Sequence, residues 1–189
     1  MNRCACLVFA LALIAVPALA NIPYPDLCLL NNAAGSDGAV LLVVPTGTGA
    51  PFTDARLPGG VAVDATLTLT VVNSEGGPIE NYPASAIRLV TTGPGLAPRR
   101  MAHPGSATDV NGQTSWVDPL FGGGNSLLED AQAIIASQPV PDTAAVHFVS
   151  PDITGDLNVN LSDISLFTQA IGLYNPEADF NNDGVVNLT

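Results

Sequence analysis

The chain has 189 residues, five arginines, no lysine, 17 acids and a formal net charge of −12 at pH 7. So few cations exclude non-specific nucleic-acid binding, which needs clustered Lys or Arg against phosphates, and docking on anionic membranes. With 47% apolar residues there is enough to bury a core, and 18 Gly with 16 Pro point to a turn-rich, largely β protein.

The first 20 residues read as a secretory signal. Arg3 supplies positive charge, Leu7 to Val16 is apolar, Pro17 breaks the run, and Ala18-Leu19-Ala20 is a small-residue cleavage site. A mature start at Asn21 and export to the extracellular space or cell surface are expected. The apolar run is shorter than the roughly 20 residues a membrane span needs, and no second such run follows, so no span is expected after cleavage. Cys4 and Cys6 leave with the signal, and Cys28 keeps no partner for an internal disulfide. Its setting, Leu27-Cys28-Leu29-Leu30, is that of a small buried hydrophobe and not of a nucleophile.

Residues 21–38 form an N-terminal segment, and residues 39–149 read as short strands separated by turn chemistry. Ala39 to Val44 is an apolar run closed by Pro45. Thr66 to Val71 alternates polar and apolar, with one face on a core and one in solvent, and Asn73-Ser74-Glu75-Gly76-Gly77-Pro78 then punctuates the chain. Ala86 to Val90 alternates again. Asp109-Val110-Asn111-Gly112 is a turn in which Asn-Gly supplies the positive φ values of a tight hairpin. It leads into Gln113 to Val117, with Trp116 as a core anchor, and Ala144 to Val149 is a final strand. Between Trp116 and Ala144, Leu128, Ala131, Ile134 and Ile135 of the segment Leu127 to Ser137 fall at helical spacing, and the whole stretch is expected as a loop with at most one short helix. Gly122-Gly123-Gly124 lacks the G-K-[ST] ending of a phosphate loop and reads as a flexible connection. Five or six strands of this kind suggest a β-sandwich.

The stretches Val61 to Asn73, Gly76-Gly77-Pro78, Ile87 to Thr91 and Thr108-Asp109-Val110-Asn111-Gly112-Gln113-Thr114 resemble, in order and punctuation, the bacterial immunoglobulin-like domains of the invasin type. The resemblance covers roughly residues 39–149. It implies a two-sheet sandwich used as a spacer or adhesive module, with no catalytic residues.

The chemistry lies in residues 150–189, where one pattern occurs twice. The first copy runs from Asp152 to Asp163, and the second starts at Asp179 and reaches Thr189. Counted from the first Asp of each copy, oxygen-bearing side chains recur at positions 1, 3, 5 and 9: Asp152, Thr154, Asp156 and Asn160, then Asp179, Asn181, Asp183 and Asn187. Asp163 stands at position 12 of the first copy. This is the spacing by which an EF-hand type loop wraps Ca²⁺, with a backbone carbonyl at position 7, here Asn158 or Val185, completing the shell. Isolated Asp and Asn residues usually mark turns, but two copies sharing D-x-x-x-D-x-x-V-N-L favour calcium.

An aspartate at position 12 with Val-Asn at positions 8 and 9 resembles the dockerin type I repeat. The resemblance implies two paired loop–helix units binding two Ca²⁺, in a family some of whose members dock onto cohesin modules in polysaccharide-degrading assemblies. It implies side-chain ligation by Asp152, Asp156, Asn160 and Asp163 and by Asp179, Asn181, Asp183 and Asn187. Thr154 stands where Asn or Asp is usual, and Leu157 replaces the position-6 glycine that Gly184 supplies in the second copy. Position 12 of the second copy would be residue 190; a chain truncated there, or a second site permanently incomplete, is expected, and the first loop ranks as the better site. A helix should follow the first loop, capped by Asn160 with Asp163, striped by Ile164, Phe167 and Ile171 and stopped at Gly172. With no second helix to meet it, Phe167 is expected to lack a lid. Positions 10 and 11, Leu161-Ser162 and Leu188-Thr189, nearly repeat, as a two-fold binding face would require, whereas Thr168-Gln169 stand where Lys-Arg is common in the family. The implied partner is a cohesin-like module or another cell-surface protein.

Nothing comparable supports catalysis. Glu129 and Asp130 are adjacent and read as a solvated pair, where a glycosidase needs carboxylates facing each other across a cleft. There is no G-x-S-x-G elbow to use His103 or His147, and two distant histidines with one cysteine make a poor zinc site. The sequence points to a mainly β, secreted, non-catalytic protein: an Ig-like sandwich followed by an EF-hand-like, dockerin-type tail for attachment or assembly. The alternatives are a fragment of an extracellular polysaccharide hydrolase and a purely structural surface spacer.

Overall fold

A computed structural model describes residues 21–35, 38–97 and 102–188. The expected signal sequence, residues 1–20 with Cys4 and Cys6, lies outside them. The chain is mainly β. In order, the strands are β1 (Leu29–Asn32), β2 (Ala39–Leu42), β3 (Ala55–Arg56), β4 (Ala62–Val63), β5 (Leu67–Thr70), β6 (Ile87–Thr91), β7 (Leu96–Ala97), β8 (Gln113–Trp116), β9 (Gly123–Gly124), β10 (Ala131–Ile135), β11 (Gln138–Ala144) and β12 (Val146–Val149), followed by one helix, α1 (Leu161–Ala170). They pair in the orders β1-β5-β8, β11-β10-β6, β12-β2-β3-β4 and β7-β9. All pairings are antiparallel except β12 with β2, which run parallel from Val146↔Ala39 to Val149↔Leu42.

The alternation expected for residues 66–71 sets the inner face. Leu67 and Leu69 are buried while Thr68 and Thr70 are half-exposed, and on β6 Ile87 and Leu89 point inward with Arg88 in solvent. These side chains join Leu41, Phe52, Ile135, Val140, Trp116 and Phe148 in one apolar cluster, with Phe52 and Phe148 edge to face at 6.4 Å. The segment before residue 39 contributes to that cluster as well: β1 pairs along its length with β5, and Cys28 and Leu30 are buried beside it. Burial pushes the Cys28 thiol pKa up, although the Val72 carbonyl acts in the opposite direction. Cys28 is therefore core, as its apolar setting suggests.

Three local expectations are corrected. Residues 131–135, expected to be loop or helix, form a strand held on both sides, by β6 and by β11, and β11 itself lies in the stretch expected as loop. Ala131, Ala133 and Ile135 face inward at a period of two, and Leu128, part of the helical stripe, is fully exposed. Short apolar runs satisfy either period, and pairing partners decide. The hairpin from β10 to β11 turns on Ala136 and Ser137, both left-handed at φ +49° and +70°, a two-residue turn without the Asn or Gly that usually marks it. β11 carries Pro139 and Pro141, tolerated because it is an edge strand. The Gly122–Gly124 run is not a flexible connection, since all three residues are buried and Gly123–Gly124 pair with β7. At Asp109–Gly112 only Gly112 is left-handed, at φ +73°, and Asn111 is not. The Asp109 carboxylate holds this turn by accepting from the Asn111 and Gln113 amides at 2.8 and 2.9 Å.

The reassigned strand makes a direct test. Ile135→Ala should cost about 2–5 kcal/mol of unfolding free energy, and Leu128→Ala should stay within about 0.5 kcal/mol of wild type. Denaturant titration followed by the fluorescence of Trp116, the one tryptophan of the chain, measures both.

Candidate metal centre

β12 runs into the first repeat without a linker, for Ser150 and Asp152 are both fully buried. From there the two repeats adopt the same backbone. At position 4, Gly155 and Asn182 are left-handed (φ +69° and +54°); at position 6, so are Leu157 and Gly184 (φ +68° and +88°). The hydrogen bonds repeat as well. The position-1 carboxylates, Asp152 and Asp179, accept from the position-5 amides at 3.2 Å in both loops. They also accept from the position-6 amides of Leu157 and Gly184, at 2.7 and 2.8 Å. The position-5 carboxylates, Asp156 and Asp183, accept from the amides of Asn158 and Val185 at 2.8 Å. Leu157 is thus forced into a conformation that costs a side-chain-bearing residue roughly 1–2 kcal/mol.

In the first loop the expected donors are linked to one another. The Thr154 hydroxyl lies 3.2 Å from Asp152 Oδ1 and 3.0 Å from Asp163 Oδ1, bringing positions 1, 3 and 12 to one point. Asn160 Nδ2 reaches Asp156 Oδ2 at 3.3 Å and the Asn158 carbonyl at 3.1 Å, drawing in positions 5, 7 and 9. Asp163 has a second task at the start of α1, where it accepts from the Asn160 amide at 2.9 Å and completes a capping box. Burial works against its charged form, but hydrogen bonds from the Thr154 and Asn160 amides and the Thr154 hydroxyl outweigh it and hold the carboxyl below its ordinary pKa. In the second loop Asn181 Nδ2 donates to Asp183 Oδ2 at 2.8 Å, Val185 is placed by its bond to Asp183, and Asn187 is half-buried at the loop's end.

Three of these carboxylates are almost sealed from water: Asp152 at 0%, Asp163 at 1% and Asp179 at 3% exposure. Among the described residues no group of three or more His, Cys, Asp or Glu side chains gathers into a metal-holding cluster. The donor set in the loops is mixed, drawing on carboxylate, amide, hydroxyl and backbone oxygens, and such a set suits Ca²⁺, which takes six to eight oxygens of any of these kinds. The residues present fit that ion. Loop 152–163 would hold it through Asp152, Thr154, Asp156, Asn158, Asn160 and Asp163, and the second loop through Asp179, Asn181, Asp183, Val185 and Asn187.

The surroundings of the loops differ from expectation in two respects. Phe167 has a lid after all: it stacks on Phe180, ring centroids 5.6 Å apart and 13° from parallel, and joins Ile153, Ala170, Ala178 and Val186 in a second small core. The lid comes from within the second loop, which a helix-against-helix expectation does not consider. Of the expected stripe, Ile164 and Ile171 are exposed. The adjacent acids Glu129 and Asp130 are not a solvated pair. Glu129 Oε1 accepts from the Gly95 amide at 2.8 Å, its Oε2 is buried without a partner, and Asp130 accepts from the Thr143 hydroxyl. His147, half-buried on β12, sits with Nδ1 2.9 Å from the Glu129 carbonyl.

Comparison with protein-family models, with curated proteins and with solved structures finds no match.

The backbone parity of the loops is testable at position 6. Gly184 has open space around the place where a Cβ would sit, so Gly184→Ala should cost only its left-handed φ, about 1–2 kcal/mol. Amide hydrogen exchange at residues 183–185 should speed up roughly 5- to 30-fold.

Proposed function

We propose that this is a secreted, non-catalytic calcium-binding protein, in which an immunoglobulin-like β-sandwich carries a dockerin-like pair of loops used for attachment or assembly outside the cell. The observation that carries the reading is the duplicated loop. Two segments of different sequence share left-handed residues at positions 4 and 6 and three carboxylate-to-amide hydrogen bonds. Turn preference accounts for single Asx turns; the same bonds repeated over positions 1 to 7 of two segments support a scaffold of the kind that holds a hard cation. Export follows from the Arg3, apolar run and Ala18-Leu19-Ala20 order, and among the described residues no helix is long and apolar enough to cross a membrane. A cohesin-like module or another cell-surface protein is the partner that the dockerin resemblance favours.

Isothermal calorimetry with CaCl₂ tests the reading. Binding should fall in the extracellular class, on the order of 10⁻⁴ to 10⁻³ M. Asp152→Ala should remove the larger share of the heat and Asp183→Ala the smaller. An unchanged titration in both variants would remove calcium from the account.

A further inference from the structure

The two loops meet the β-sheet body at separate places, and each meeting is made by glycine. In the first, the Gly124 amide donates to the Asp152 carbonyl at 2.7 Å, and Gly123 lies so close that a Cβ built on it would collide with Asp152 Oδ2. Gly123 is held in turn by pairing with Ala97, and the neighbouring Asn125 bridges to Val149 of β12. In the second, the successive amides of Gly59 and Gly60, in the turn between β3 and β4, both donate to the Asn182 carbonyl, at 2.8 and 2.9 Å. The Asn182 side chain returns a bond to the Arg56 carbonyl at 3.1 Å, and a Cβ on Gly60 would lie 3.1 Å from the Asp183 Cβ. A position-1 and a position-5 carboxylate are therefore set by backbone belonging to the sheets.

We propose that Gly123 and the Gly59–Gly60 turn are positioning residues of the two loops, and that cation uptake by the loops consequently stabilises the β-sheet body. The inference rests on the calcium reading of the loops and adds to it a thermodynamic link: a ligand that binds only the state in which Asp152 and Asp183 are in place stabilises whatever holds them there. The tail is then a clasp closed across β3–β4 and β9, and not an appendage on a hinge.

The glycines provide two matched pairs for the test. Gly123 and Gly105 both have ordinary φ, but a Cβ at Gly105 meets nothing within 4 Å. Gly60 and Gly76 are both left-handed, at φ +75° and +78°, but a Cβ at Gly76 meets nothing within 4 Å. In the full-length chain, CaCl₂ at ten times the calorimetric Kd should raise the midpoint of thermal unfolding, read by Trp116 fluorescence, by roughly 3–6 °C. That increment should persist in Gly105→Ala and Gly76→Ala and fall by half or more in Gly123→Ala and Gly60→Ala, with a weaker Kd. Calcium heat in wild type without movement of the Trp116 transition would overturn the link and leave the calcium reading standing, whereas absence of heat would overturn both. Should Gly123→Ala fail to fold, the Gly60/Gly76 pair decides, and equal increments in those two variants would overturn the proposal.

Discussion

Burial of Asp152 at the end of β12 is the constraint from which the arrangement of residues 150–188 follows. β12 lies beside β2 in parallel register, so the strand that closes the β-sheet body is fixed by one of the first. Three residues later the chain must place a carboxylate that has no access to water. An unpaired buried carboxylate is costly. This one is compensated by the amides of Asp156 and Leu157 and by the Thr154 hydroxyl, which can reach it only if the chain curls back on itself. The curl is the loop. Its left-handed residues, its close passage over Gly123 and its delivery of Asp163 to the start of α1 are consequences of solvating one buried charge with backbone.

The second loop repeats the arrangement around Asp179, which accepts from the Asp183 and Gly184 amides. Backbone amide donors draw the outline of both loops. Leu157 shows the tension: the backbone adopts the left-handed turn at φ +68° even with a branched side chain in place of glycine.

Packing in the tail follows an economy imposed by its size. With ten residues in α1 and few apolar neighbours, the helix buries one turn, around Phe167 and Ala170, and leaves Leu161, Ile164 and Ile171 in solvent. Phe180, two residues from the left-handed Asn182, supplies the stacking surface that lets the second loop sit against the helix. Asn182 carries the second loop onto the Gly59–Gly60 turn, a junction made by a residue that is not itself a candidate ligand.

The sequence by itself determined the elements whose signal is local. Leu67–Thr70 and Ile87–Thr91 alternate at the strand period, Asn160 and Asp163 carry the capping box, and the two Asp-led repeats sit at the spacing of a cation loop, because each depends on residues a few positions apart. Leu157 was legible as strained for the same reason. What only the tertiary structure decided depends on partners far along the chain. Ala131–Ile135 became a strand because β6 and β11 lie on either side, and its Ala136-Ser137 hairpin bears none of the residues that advertise such a turn. Gly122–Gly124 became rigid because Leu96–Ala97 and Asp152 press on it from positions roughly 30 residues away on either side. Phe167 found its lid in Phe180 because the second loop folds back across the helix. Spacing records what a residue can do; which distant surface it meets is settled only when the core closes.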